Sequence, residues 1–187
     1  MMLVSFLGWR SVGTTCLALF ASATLSTGCR AATGDQETWR CNSPNGHFNQ
    51  NVLPVASGTV TSVHGRISIH DADKSGPWGA VARVAFGSSG SSEEHCSCDG
   101  LLVRAFHNPD VVEFHLVSNG QVSLVARARF ETPITFDVSV DPQGMMTMKV
   151  GKPDPVVKTA MIPAIRRDSV VLSCSGTDVS FLGVTTH

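Results

Sequence analysis

The clearest pattern in the chain runs from residue 134 to residue 150. Ile134, Phe136, Val138 and Val140 are apolar, and Thr135, Asp137, Ser139 and Asp141 alternate with them. A period of two predicts a half-buried strand, because successive side chains leave opposite faces of a sheet. Asp141-Pro142-Gln143-Gly144 then predicts a turn. Pro presets φ at the second position, and Gly accepts a positive φ later. Met146, Met148 and Val150 resume the alternation as a second strand.

The same period recurs along most of the chain. Within residues 58–69, Val63, Ile67 and Ile69 share a face, with His64, Arg66 and Ser68 opposite. Residues 71–77 read as a turn, and Trp78, Ala80, Ala82, Val84 and Phe86 share a face in the next strand. Residues 87–92 are Gly and Ser alone, the composition of a flexible loop. Strands follow at 101–106, 111–117 and 122–130, and a turn at 107–110 closes the first of them. Asn119-Gly120 between the last two predicts a tight hairpin, since both turn positions need positive φ. Residues 156–162 make a Pro-bounded strand, suited to a sheet edge. Residues 170–174 and 179–185 finish the chain around Ser175-Gly176-Thr177-Asp178. About ten short strands separated by turn signals predict an all-β sandwich or barrel rather than a βαβ fold. The sandwich domain is expected over residues 57–187. Ahead of it, residues 29–56 lack any period and contain Gly34, Asn42, Pro44, Asn45, Gly46 and Pro54. They read as an irregular N-terminal arm, docked by Trp39 and Phe48 and pinned through Cys41.

Residues 1–28 read as a targeting segment. Arg10 is the one charge before Arg30, and the run Cys16-Leu17-Ala18-Leu19-Phe20-Ala21 between them is small and apolar. That arrangement describes a secretory signal, and the run falls short of the ~20 residues a membrane span needs. Leu25-Ser26-Thr27-Gly28-Cys29 resembles the bacterial lipobox. The resemblance implies cleavage before Cys29 and its lipidation. The lipobox prefers Leu three residues before the Cys, where this chain has Ser26. Ordinary cleavage after Ala21-Ser22-Ala23 or near Ala31-Ala32 is the alternative. Either way the chain reads as exported: periplasmic, anchored to the outer membrane, or extracellular. Removing 28 of the 187 residues leaves 159, enough for one domain with a sizeable core. That remainder carries 13 basic and 15 acidic residues and no basic stripe, so nothing in it points to nucleic acid. It has no second long apolar run, so membrane contact would come through the lipid anchor.

Four cysteines follow Cys29: Cys41, Cys96, Cys98 and Cys174. In an oxidising compartment disulfides are the default. Cys96 and Cys98 would face one side of a strand, so a bond between them would distort it. The expectation is that Cys41 and Cys174 each meet one of that pair, in an order the sequence does not give. The rival reading of Glu93-Glu94-His95-Cys96-Ser97-Cys98-Asp99 as a metal cluster lacks zinc-site spacing. Asp71, Asp73 and Ser75 match the first half of a calcium loop, but position twelve holds Ala82 rather than a bidentate Glu. A plain polar turn accounts for them, so no cofactor is expected and Ca2+ is the one candidate. Trp39 and Trp78 are the rings to consider for a sugar-stacking platform; the alternation places Trp78 as readily in the core. The chain has no Tyr. His64, His70, His95, His107 and His115 are scattered, and no Gly-x-Ser-x-Gly or Walker-type loop occurs.

Two stretches resemble a known superfamily. Ile134-x-Phe136-x-Val138-x-Val140-Asp141-x-x-Gly144 with Met146-x-Met148-x-Val150 resembles the paired strands of concanavalin-like, laminin-G-type jelly rolls. Residues 170–184, ending Val179-Ser180-Phe181-x-Gly183-Val184, resemble the terminal strand of the same superfamily. The resemblance covers roughly residues 58–185. It implies a two-sheet antiparallel sandwich, with glycan binding on a concave sheet or rim loops, and in some members glycan hydrolysis. Glucanases of the superfamily carry Glu-x-Asp-x-x-Glu on one strand. Glu occurs here only at 37, 93, 94, 113 and 131, and none begins that motif. Asp137 and Asp141 are the strand acids left for a divergent catalytic pair; a solvated sheet face explains them as well. The sequence therefore reads as a non-catalytic exported module binding a glycan or an envelope protein. A glycoside-processing enzyme and a purely structural envelope protein are the alternatives.

Overall fold

The computed structural model describes residues 37–55, 59–73, 79–87, 99–107, 110–162 and 167–187. The described chain is all β. Its twelve strands are β1 (Glu37–Ser43), β2 (Asn49–Pro54), β3 (Ser62–Ala72), β4 (Ala80–Gly87), β5 (Gly100–His107), β6 (Asp110–Ser118), β7 (Gln121–Ala128), β8 (Ile134–Val140), β9 (Met145–Val150), β10 (Val156–Met161), β11 (Ser169–Ser175) and β12 (Thr177–Thr186). They form two sheets of six, ordered β1-β12-β3-β8-β9-β10 (sheet A) and β2-β11-β4-β5-β6-β7 (sheet B). Every pairing is antiparallel. This is the jelly-roll sandwich that the resemblance implied, and one of the two architectures, sandwich or barrel, that the alternation predicted.

The core lies between the sheets, and the period of two fills it. Val63, Ile67, Phe136, Val138, Met146, Met148, Val179 and Phe181 come from sheet A. Val84, Phe86, Leu101, Val103, Phe114, Leu116 and Leu172 come from sheet B. Each such side chain contributes about 1.5–3 kcal/mol by leaving water. The β6–β7 turn has φ of 51° at Asn119 and 72° at Gly120, as the Asn-Gly pair requires. At the β8–β9 turn the Asp141 Oδ1 accepts from the amides of Gln143 and Met145 at 2.9 and 2.8 Å. β10 ends sheet A, where its flanking prolines place it.

Two expectations need correction. The segment read as an irregular arm holds β1 and β2, which form the outer edges of the two sheets. An edge strand is bonded on one side and wet on much of both faces, so its alternation is weak; β1 is mostly exposed until Cys41 and Ser43. The disulfide pairing also differs. Cys41 bonds Cys174, with Cα atoms 6.2 Å apart, and both are buried in the core. The bridge ties β1 of sheet A to β11 of sheet B. Pairing by sequence failed because no spacing reveals that the edge strand of one sheet faces the second strand of the other. Cys96 and Cys98, and the Glu93–Asp99 cluster apart from Asp99, lie outside the described residues, as do Cys29 and the whole of residues 1–36.

Candidate functional site

The outer face of sheet A carries a groove of about 1260 Å³. Its floor follows from the core pattern. With Val63, Phe136, Met148 and their neighbours turned inward, His64, Arg66, Thr135, Asp137 and Lys149 must point outward. Register then sorts them into two rows. Thr185, His64, Asp137 and Lys149 are directly opposite one another across β12, β3, β8 and β9. Glu37, Leu182, Arg66 and Thr135 form the second row across β1, β12, β3 and β8. The Gly151 amide extends that row by donating to the Thr135 carbonyl at 2.9 Å. The rows are two residues, about 7 Å, apart along the strands. Beyond β9, Lys152, Pro153 and Pro155 form one wall, with the Lys152–Pro153 peptide cis. Thr38, Gly183 and Val184 form the other.

Gly65 lets β12 lie against this floor. A Cβ there would sit 3.0 Å from Val184 Cγ2, 3.1 Å from its Cα and 3.2 Å from the Leu182 carbonyl. The register of β12 slips at this point, between Leu182 and Thr185.

The groove is rich in donors. Arg66, Lys149 and Lys152 are cationic, and His64, Thr38, Thr135 and Thr185 add further polar groups. Asp137 and Glu37 are its carboxylates. His64 is fixed on both sides: its Nε2 lies 2.7 Å from Thr185 Oγ1, and its ring stacks on His187 at 5.2 Å. Glu37 Oε2 accepts from Ser180 Oγ at 2.7 Å, and Thr38 Oγ1 accepts from the Val184 amide at 2.8 Å. Thr135 Oγ1 is shut away from solvent with no hydrogen-bond partner among the described residues. A buried polar atom left in that state costs about 1–3 kcal/mol. Phe136, the aromatic ring in the lining, is only 2% exposed, so it offers no stacking platform.

The residues singled out from sequence scatter across the fold. Asp137 lies in the groove, between His64 and Lys149. Asp141 lies in the β8–β9 turn, where its carboxylate holds two amides. Asp137 has no carboxylate on the neighbouring positions of β3 or β9. Glu37 is three strands away, about 14 Å at sheet spacing. A glycosidase pair needs its carboxyl groups about 5–9.5 Å apart.

Trp39 stacks on buried Phe181 at 5.5 Å and packs against the core. A bulge between Glu37 and Trp39 separates their directions, so Trp39 docks β1 and does not reach the groove. Trp78 and Ser75 lie outside the described residues. Asp71 and Asp73 border a smaller polar cleft of about 510 Å³ beside His107. Asp71 Oδ1 accepts from the Ala72 amide at 2.8 Å and lies 3.3 Å from His107 Nε2; Asp73 Oδ2 accepts from the Asn45 amide at 3.3 Å. Among the described residues, no three His, Cys, Asp or Glu side chains are grouped to hold a metal ion. Asp178, in the same cleft, is clamped by Arg40 at 2.7 and 3.0 Å. That hydrogen-bonded pair holds its carboxyl below the usual range.

Sequence reasoning passed over Arg66, Lys149, Lys152 and Thr135 and left His64 as a scattered histidine. Apart from Lys152, which lies just past β9, their signal was the polar half of three alternating strands. Joining them required the strand order.

No protein-family model and no curated protein sequence matches the chain. Solved structures do. A carbohydrate-binding module of Bacillus subtilis superposes with a TM-score of 0.50 at 16% identity, covering 84% of this chain and 97% of that one. An alginate lyase of Pseudomonas aeruginosa gives 0.48 at 10% identity, over 69% and 65% of the two chains. A β-glucanase of Bacillus licheniformis gives 0.44 at 9% identity, over 74% and 69%. At these identities the likeness is one of fold alone.

Proposed function

We propose that this chain is an exported, non-catalytic sandwich module that binds a glycan in the groove on the outer face of sheet A. The groove itself carries the reading. It exceeds the roughly 300–1,000 Å³ of a typical small-molecule site, as an extended chain of polar rings requires. Two rows of outward side chains, polar apart from Leu182 and about 7 Å apart, would meet successive hydroxyl groups. The shared fold with a carbohydrate-binding module fits this reading. The missing Glu-x-Asp-x-x-Glu motif and the isolation of Asp137 favour binding over hydrolysis.

Export rests on the first 28 residues and on a buried disulfide of the kind oxidising compartments maintain. Lipidation at Cys29 would hold the module at the envelope. Mass spectrometry of the protein from membranes tests it: the Cys29→Ser variant should lose the acyl mass, and an unmodified wild-type Cys29 removes the anchor from the proposal.

The binding test is titration calorimetry against a panel of soluble polysaccharides. Wild type should bind at least one of them. His64→Ala and Asp137→Ala, on the groove floor, should weaken that binding about tenfold or more, the scale on which a lost charge-assisted hydrogen bond acts. Binding unchanged in both variants would place the ligand elsewhere on the molecule.

A further inference from the structure

We infer that the groove selects an acidic glycan, one bearing carboxylate or sulfate groups, and seats the anionic group at its β9 end; this rests on the glycan reading above. Three observations carry it.

The first is polarity along the groove. Lys149 on β9 and Lys152 just beyond it are exposed and stand at one end, with Arg66 two strands away on β3. The far end, on β1 and β12, presents Glu37, Thr38 and Leu182. The chain as a whole has a formal net charge of −1. A local excess of cations on such a molecule draws an anionic chain to one site and orients it there.

The second is the balance of donors and acceptors. The carboxylates in the lining already have partners or close neighbours. Glu37 accepts from Ser180, and Asp137 sits directly opposite Lys149 and His64. An ammonium group has three donors, so Lys149 keeps donors to spare beside Asp137. The ammonium donors of exposed Lys149 and Lys152 therefore exceed what Asp137 can accept, and a ligand rich in acceptors satisfies them. Carboxylate and sulfate oxygens accept the stronger, charge-assisted bonds.

The third is that, among the described residues lining the groove, no aromatic ring is exposed apart from His64, which stacks on His187. A neutral sugar gains much of its affinity by stacking its apolar face on an aromatic side chain. With that surface missing, charge and hydrogen bonding have to supply the affinity.

The test compares polymers that differ in charge alone: polygalacturonate against its methyl ester, and dextran sulfate against dextran. Affinity electrophoresis and calorimetry read the binding. Wild type should bind one or both acidic polymers at least tenfold more tightly than the neutral counterpart, and the preference should shrink as salt rises from about 0.05 to 0.5 M. Lys149→Gln and Lys152→Gln should each weaken acidic binding about three- to tenfold and leave the melting temperature unchanged, since both side chains are exposed. Arg104→Gln, on sheet B, is the control and should bind as wild type does. Equal binding of charged and neutral partners overturns the acidic preference and leaves the glycan reading standing. Binding to no polymer in the panel overturns both. Loss in Arg104→Gln with none in the two lysine variants moves the anionic site to the opposite sheet.

Discussion

His115 shows how far a single side chain can depart from what its surroundings in sequence suggest. It reads as a surface histidine on a polar position of β6. It lies instead on the outer face of sheet B between Leu102 and Leu124, only 7% exposed. Its Nε2 is 3.1 Å from Glu113 Oε2, and its Nδ1 has no partner among the described residues. Burial pushes its pKa below the ordinary 6.5, against the pull of Glu113. Unfolded chains therefore take up a proton near pH 6.5 that the folded protein refuses until lower pH. Stability should fall as pH drops through about 6.5. Melting curves from pH 7.5 to 5.5 should show the loss, and His115→Gln should flatten it. Glu113 works in the opposite sense. Its bond to Arg127 holds its pKa below 4.5, so it adds stability above that pH and loses it as the carboxylate is protonated below.

Gly65 makes a second case at the same scale. The sequence marks it only as a break in an otherwise regular strand, and a glycine there signals either a bulge or a close backbone approach. The structure gives the approach: part of what a methyl group would strike is the backbone of β12. Gly65→Ala should destabilise the fold by about 1–3 kcal/mol, as overpacking does. It should also weaken binding in the groove, because the wall formed by Gly183 and Val184 has to shift. Urea unfolding and calorimetry read the two effects. A variant as stable as wild type would mean that β12 slides without cost.

At the scale of elements, legibility depended on how many neighbours a strand has. β3, β8, β9, β11 and β12 are bonded on both sides and covered on one face, so burial imposes the period of two on their sequences. The Asn119-Gly120 hairpin was legible for a local reason, since the turn itself demands positive φ at both positions. β1 and β2 left no such trace, because an edge strand can satisfy water and sheet together with almost any residue; the other two edges, β7 and β10, were marked by the Asn119-Gly120 turn and by flanking prolines. The groove was illegible for another reason. Thr185 and His64 are 121 residues apart and still share a hydrogen bond. The alternation said which side chains point outward; which of them stand side by side is set by strand order, and strand order leaves no local mark. β10 carries exposed Val156, Val157 and Met161 on the free edge of sheet A. Charged residues are the usual protection there. Val157→Lys should reduce self-association at high concentration, read by sedimentation velocity, without changing the melting temperature.

For the molecule as a whole, the Cys41–Cys174 bridge connects stability to the groove. It closes a loop of 133 residues and joins the two sheets at one side of the sandwich. Cross-links of this kind stabilise by about 2–4 kcal/mol, chiefly by restricting the unfolded chain. Reduction, or a Cys41→Ala/Cys174→Ala double variant, should lower the urea midpoint by an amount in that range. The effect should also be uneven. β1 is an edge strand paired to β12 alone, and with the bridge gone it keeps that ladder, the Trp39–Phe181 stack and the Arg40–Asp178 ion pair. Elements held by few buried contacts open first. Hydrogen exchange should therefore quicken across residues 37–43 and much less across β8 and β9. Glu37 and Thr38 sit on β1 at the groove's far end, whereas Lys149 and Lys152 lie at the other. A glycan seated by its anionic group at the β9 end should then lose only part of its affinity on reduction, and its preference for charge should persist. If reduction abolished the charge preference while β8 and β9 stayed protected, the anionic group would have to lie against β1 instead.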